Sequence, residues 1–125
     1  MNYKKESSKD FFQTLSDLQN VISANGFRIL HIHNVKETLA EKGFNIDEYR
    51  IIEICNAKFA NTIINKNKEY GVLMPCKIIL YAENGKVYLT MQDPEVLINK
   101  FNMEDVKDIA KEVGIIMKKI IDETI

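Results

Sequence analysis

Two short runs of alternating residues, separated by Asn84 and Gly85, constrain the fold more than any other feature of this sequence. The runs span residues 77–83 and 86–92, and an Asn-Gly pair tolerates the positive φ angles of a type I′ turn. This spacing predicts an antiparallel β-hairpin. Because successive side chains of a strand point to opposite faces, one hairpin face is uniformly apolar and is expected to lie against helices. That face carries Ile78, Leu80, Ala82, Val87, Leu89 and Met91.

The opposite face of the predicted hairpin is only half apolar. It carries Lys77, Ile79, Tyr81, Tyr88, Thr90 and Gln92. The set of Ile79, Tyr81 and Tyr88 is too apolar for a plain solvated face and too polar for a dry core. It therefore indicates a homodimer interface or a platform for a small apolar ligand. Scattered aromatic residues on an open face are the ordinary alternative, because folded proteins tolerate exposed apolar groups.

Helical and strand patterns alternate along the rest of the chain. Residues 8–24, 35–42, 56–64, 94–100 and 103–122 are predicted to be helical, and the apolar runs 27–33 and 49–55 to be strands. Ser7 or Ser8 is the expected N-cap of the first helix, and Asn102 that of the last. The pattern favours an α+β two-layer sandwich, with a mixed, mostly antiparallel sheet and helices packed mainly on one face. We expect residues 1–125 to form one domain, with residues 1–6 frayed or forming a short edge strand.

Composition excludes several classes of protein. The chain has 125 residues, of which 46% are hydrophobic and 28% charged, as expected for one globular domain. Its 17 basic and 18 acidic residues leave a net charge of −1, so we expect no nucleic-acid partner and no membrane partner. No apolar stretch approaches the roughly 20 residues of a membrane span, and no signal peptide is recognisable. We therefore expect a cytoplasmic protein whose two cysteines are free thiols.

Several short motifs, spread over nearly the whole chain, resemble one family. They are Gly26-Phe27, the short helix around Leu39, Cys55-Asn56 with Ala60, the run Gly71-Val72-Leu73-Met74-Pro75-Cys76, the strand through Tyr81, and Asp93-Pro94. From about residue 11 to residue 121, the sequence resembles the bacterial and archaeal domain of unknown function family 302. The resemblance implies a fold similar to the TATA-binding-protein-like class, with a strongly bent sheet backed by helices, and commonly a homodimer. It implies no reaction.

The chain departs from that family in a few places. Ala57 stands where the family typically has proline, and the leading strand is shortened here to residues 1–6. His31 and His33 form a His-x-His pair that is not a fixed feature of the family. A function built on these histidines would therefore be particular to this protein.

Cys55 and Cys76 offer the sharpest candidate chemistry. Cys55 precedes Asn56, the expected N-cap of a helix, where free amide groups and the helix dipole favour a thiolate. Cys76 begins a strand that can lie antiparallel to the one ending at Cys55, which would let the two sulfurs approach. A close pair would form a reversible disulfide or supply two soft ligands to zinc, copper or a metalloid. The ordinary alternative is that both are small buried hydrophobic residues.

His31 and His33 are separated by one residue of a predicted strand, so their rings point to the same face, as two ligands of one metal would. A closed zinc site needs four ligands, so both cysteines would have to reach that face. Glu53 lies inside the second predicted strand, on the side of Ile51 and Cys55, where it would act as a general base or a polar interface residue. The ordinary alternative for these residues is a solvated or half-buried polar surface.

No catalytic motif is recognisable: the chain has no Gly-rich phosphate loop, no Gly-x-Ser-x-Gly and no His-Glu-x-x-His. Whether it is an enzyme stays open, and no cofactor is predicted. The preferred function is a homodimeric binding or structural module, whose open sheet face mediates self-association or holds a small apolar ligand. The alternative is a thiol-dependent redox or metal-binding protein that uses Cys55 and Cys76, with Asn56, Glu53 and the histidines as neighbours.

Overall fold

The computed structural model describes residues 2–125, which form one five-stranded sheet and five α-helices. The strands are β1 (Asn2–Ser7), β2 (Arg28–Asn34), β3 (Tyr49–Cys55), β4 (Cys76–Glu83) and β5 (Lys86–Gln92). The helices are α1 (Phe11–Ala24), α2 (Val35–Ala40), α3 (Ala57–Lys66), α4 (Pro94–Lys100) and α5 (Lys107–Thr124), with 3₁₀ turns at Lys68–Leu73 and Glu104–Val106. The strand order is β1-β5-β4-β3-β2, and all four pairings are antiparallel. The α+β two-layer architecture is confirmed.

The β4–β5 hairpin has the geometry that its sequence predicts. Asn84 and Gly85 adopt φ angles of 52° and 78°, as a type I′ turn requires. Ala82 lies opposite Val87 and Tyr81 opposite Tyr88, so the two faces divide as the alternation predicts. The apolar face is buried, because Ile78, Leu80 and Leu89 have no exposed surface.

The core lies between this apolar face and helices α1 and α5. Helix α1 contributes Leu18 and Ile22, and α5 contributes Met117, Ile120 and Ile121, all buried. The three α5 residues form one apolar stripe on the helix that the sequence predicts over residues 103–122. None of the helices built from residues 2–125 is both long enough and apolar enough to cross a membrane.

Two helix caps differ from the sequence predictions. Helix α1 begins at Phe11, and its cap is Asp10, whose carboxylate accepts a 2.8 Å hydrogen bond from the Gln13 amide. Ser7 ends β1 instead, and its hydroxyl bonds that of Thr14 at 2.9 Å. Asn102 caps no helix start: its φ of 56° places it in the left-handed region just after α4. Asparagine suits both positions, so residue type alone does not distinguish them.

The two edge strands, β1 and β2, differ in how regularly they pair with their neighbours. Strand β1 pairs with β5 along its whole length, and the Tyr3 hydroxyl donates a 2.6 Å hydrogen bond to Asp122 of α5. That hydrogen bond raises the pKa of Tyr3 to about 12. Strand β2 carries a bulge between Ile29 and His31, which leaves the intervening Leu30 half exposed.

Candidate functional site

A cavity of about 330 Å³ lies at the end of the sheet where β3 ends and β4 begins. Helices α3, α4 and α5 and the turn at Lys68–Leu73 supply apolar side chains to its walls. These include Phe59, Ile63, Leu73, Leu97, Ile98, Val113 and Met117. The strand ends supply Ile54, Cys55, Cys76, Ile79 and Met91. The result is a concave site with a predominantly apolar lining.

The local fold of this region follows from two caps. Asn56 follows β3 and caps α3, its side-chain oxygen accepting hydrogen bonds from the amides of Lys58 and Phe59 at 3.1 and 3.3 Å. Asp93 caps α4 in the same way, accepting from the Glu95 amide at 3.0 Å. The two caps fix where α3 and α4 leave the sheet, and the cavity forms between them.

Five of the six motifs that carry the family resemblance supply lining residues to this cavity, and the short helix around Leu39 does not. Its lining includes Phe27, Cys55, Asn56, Ala60, Leu73, Met74, Pro75, Cys76 and Pro94. These residues come from four separate segments of the chain and from different motifs. The motifs therefore describe the walls of one site rather than unrelated turns.

The cavity has little charge. Among the lining residues, which all belong to the described part of the chain, Lys77 is the one side chain that is charged at neutral pH. Burial raises the pKa of Cys76 from its ordinary value of 9.0 to about 11, and Cys55 adds a smaller electrostatic effect in the same direction. The Cys76 thiol therefore stays protonated at physiological pH, where it is a poor nucleophile and metal ligand.

The two cysteines do not form the close pair that the sequence suggested. Strands β3 and β4 are antiparallel neighbours as expected, but Cys76 pairs with Ile54 and shares its core-facing side. Cys55 follows Ile54 and therefore points to the opposite face of the sheet. Both thiols are free and are not close together. The prediction of a disulfide or a two-sulfur metal site is wrong. Cys76 is paired with Ile54 rather than with Cys55, and a shift of one residue along a strand turns the side chain to the opposite face.

His31 and His33 share the open face, as their spacing predicts. Their ring centroids are 4.3 Å apart, and His33 Nε2 lies 2.9 Å from Glu53 Oε1. Across residues 2–125, no three His, Cys, Asp or Glu side chains are arranged to hold a metal ion. The four-ligand arrangement of the histidines and cysteines is therefore not formed, and Glu53 lies outside the cavity lining.

Comparison with known proteins agrees with the motifs. Residues 3–124 match the family described as Domain of unknown function DUF302. The chain belongs to this family. It is 29% identical to the protein in the "Crystal structure of uncharacterized conserved protein DUF302 from Bacillus stearothermophilus", with a TM-score of 0.94 over 99% of this chain and 98% of that chain. No curated protein matches the sequence.

The open sheet face of this DUF302 domain carries a row of three tyrosines. Tyr49, Tyr81 and Tyr88 lie opposite one another on β3, β4 and β5, with ring centroids 5.9 and 5.3 Å apart along the row. Lys4 Nζ lies 4.4 Å from the centroid of the Tyr88 ring, within range of a cation–π interaction. The predicted sharing of one face by Tyr81 and Tyr88 is confirmed by their pairing.

A shallow groove on this face of the DUF302 domain borders the cavity. The segment after β2 forms one side of the groove, where Lys36 donates a 2.9 Å hydrogen bond to the Ile46 carbonyl. Ile79 and Thr90 line both the groove and the cavity. The cavity and the half-apolar face therefore adjoin each other at these two residues.

Sequence reasoning missed the helical walls of the site. Phe59 and Ile63 on α3 are four residues apart, and Pro94, Leu97 and Ile98 on α4 stand at positions i, i+3 and i+4, so each set predicts one buried helix face. The helical spacing of apolar residues does not show whether a buried helix face packs in the core or lines a cavity. The signal that best located the site was the clustering of the family motifs.

Proposed function

We propose that this DUF302 domain is a small-molecule binding module and that its site is the cavity at the end of the sheet. The observation that carries the proposal is the convergence of the family motifs on one apolar cavity. The volume of about 330 Å³ falls at the lower end of the range of roughly 300–1,000 Å³ that is typical of ligand pockets. A compact, mainly apolar ligand fits such a site.

The chemistry of the lining supports binding rather than thiol chemistry. Cys76 keeps its proton, and its sulfur is held apart from that of Cys55, so both act as polarisable apolar contacts. Asn56 uses its amide to cap α3 and to bond the Gly26 carbonyl, which makes it a structural part of the wall.

The experiment that tests this proposal blocks the cavity from within. Ala60 lines the cavity, whereas Ala57 lies on the same helix and is exposed. We expect indole, followed by two-dimensional NMR, to shift the backbone amides around the cavity in the native chain and in Ala57→Phe. Ala60→Phe is expected to abolish these shifts. Equal binding to both variants, or no shift at any indole concentration, contradicts the proposal.

The open face supports a second proposal, which concerns assembly. The tyrosine row is flanked by charges of both signs, including Lys4 on β1 and Glu83 on β4, which lie on the same face. A second copy related by a two-fold axis can therefore place a residue of opposite charge against each of these side chains while it covers the tyrosine row. We expect this face to mediate a homodimer.

Sedimentation equilibrium tests the dimer. Tyr81→Glu is expected to yield monomers, because it buries an unpaired charge at the centre of the proposed interface. Phe12→Glu is the control, since Phe12 is 61% exposed on α1, which packs against the opposite face of the sheet. The same mass for both variants refutes an interface through the tyrosine row.

A further inference from the structure

We propose that the cavity takes an apolar monocarboxylate, with its apolar body among the helical walls and its carboxylate at the mouth beside Lys77 and Thr90. This inference rests on the proposed binding function and names the class of ligand. It follows from how polar groups are distributed around the cavity.

Apart from Asn56 and Tyr70, whose side chains bond other parts of the fold, the amide, hydroxyl and ammonium groups of the lining lie on the side of the open sheet face. Asn2, Lys77, Thr90 and Gln92 all belong to that face by strand alternation and pairing. Their side chains supply amide, ammonium and hydroxyl donors, and no carboxylate or histidine lines the described part of the cavity. The site is therefore apolar at one side and rich in hydrogen-bond donors at the other.

The Thr90 hydroxyl lacks a partner. Its oxygen is almost completely withdrawn from solvent and makes no hydrogen bond within residues 2–125. Buried hydroxyls are nearly always paired, because a buried unpaired polar group destabilises the fold. Since Thr90 borders both the cavity and the groove, an acceptor on a ligand at the mouth is the partner that the geometry provides.

Lys77 supplies a positive charge at the same mouth. Glu53 lies opposite Lys77 in the β3–β4 register, but its carboxylate bonds His33 Nε2 at 2.9 Å. None of the ion pairs formed by residues 2–125 includes Lys77. A single cation with neutral donors around it favours a ligand that carries one negative charge.

A series of ligands with one tail separates this inference from the binding function. Octanoate, octanol and octylamine share their apolar chain and differ in the head group. By calorimetry we expect octanoate to bind about tenfold more tightly than octanol, and octylamine to bind most weakly. If none binds, and indole also fails, the binding function is wrong. If octanol binds as tightly as octanoate, the binding function stands and the carboxylate assignment is overturned.

Substitutions at the mouth assign the head group to its residues. Lys77→Gln is expected to reduce octanoate affinity to that of octanol, while Lys86→Gln, an exposed lysine of β5 outside the cavity lining, is expected to leave it unchanged. Thr90→Val is expected to raise the melting temperature of the unliganded chain, because it removes an unpaired hydroxyl, and to weaken octanoate binding several-fold. An unchanged octanoate affinity in both Lys77→Gln and Thr90→Val overturns the proposal.

Discussion

The side chain of Asn56 donates a 3.1 Å hydrogen bond to the backbone carbonyl of Gly26. Gly26 leads from α1 into β2, and Asn56 leads from β3 into α3, so this bond joins two chain reversals at the same end of the sheet. Gly26 has a φ of 80°, which L-residues with a side chain rarely adopt. The Gly-Phe and Cys-Asn motifs are therefore two halves of one structural connection.

We expect Asn56→Ala to lower the free energy of unfolding by about 1 to 2 kcal/mol, because it removes a helix cap and leaves the Gly26 carbonyl without its partner. Urea unfolding measures the change. Asn99→Ala, at an exposed position of α4, is the matched control and is expected to have little effect. Equal losses in the two variants would show that the Asn56 bonds contribute nothing to stability.

Local signals predicted the elements whose determinants are close in sequence. The Asn84-Gly85 turn and the Asp93-Pro94 helix start were both located correctly, because each depends on the conformational preferences of adjacent residues. The bulge in β2 was not predicted, since Leu30 continues an apolar run and nothing nearby marks an extra residue.

The site was predicted only in part, because its geometry depends on register and on packing between distant segments. Cys55, Asn56 and Cys76, which the sequence grouped in one candidate site, all line the cavity, whereas Glu53 of the same group does not. Their sequence did not reveal that the two sulfurs lie on opposite faces of the sheet. The cavity itself is a volume left between helices, and no local pattern specifies such a volume.

We expect Gly114→Ala to destabilise the protein, although alanine is the better helix former. A β-carbon at Gly114 would lie 2.5 Å from Oδ1 of Asp93. That carboxylate cannot move freely, because it caps α4 and its other oxygen bonds Lys118 at 2.7 Å. Thermal unfolding is expected to show a loss of about 1 to 3 kcal/mol from overpacking.

Gly71→Ala is the matched control for this substitution. Gly71 has a negative or extended φ, and a β-carbon there meets no atom within 4 Å. Alanine at this position is expected to leave stability unchanged or slightly higher, since it restricts the unfolded chain. A Gly114→Ala variant as stable as Gly71→Ala would contradict the close approach of α4 and α5.

Arg50 is a charged residue at a core-facing position of β3, and only 7% of its surface is exposed. Its guanidinium lies 3.2 Å from the Glu48 carboxylate and 5.2 Å from the centre of the Phe11 ring. We expect Glu48→Gln to cost about 1 to 3 kcal/mol, because it leaves a buried cation unpaired, whereas Arg50→Met is expected to cost less.

A double-mutant cycle measures the coupling between these two residues. The expected result is that Glu48→Gln has little further effect once Arg50 is methionine. Glu104→Gln serves as the control, since Glu104 pairs with Lys107 at 4.0 Å on the exposed surface, where such pairs contribute little. Additive effects of Glu48→Gln and Arg50→Met would mean that the pair is not coupled.

The Cys76 thiol is expected to make stability depend on pH in the alkaline range. Burial raises its pKa in the folded chain from 9.0 to about 11, so the folded state keeps a proton that the unfolded state releases. Its stabilising contribution is therefore complete below pH 9.0 and is lost as the pH rises toward about 11. Urea unfolding across this range is expected to show a steeper fall for the native chain than for Cys76→Ala, which lacks the buried thiol. Parallel curves for the native chain and Cys76→Ala would mean that this thiol titrates alike in the folded and unfolded states.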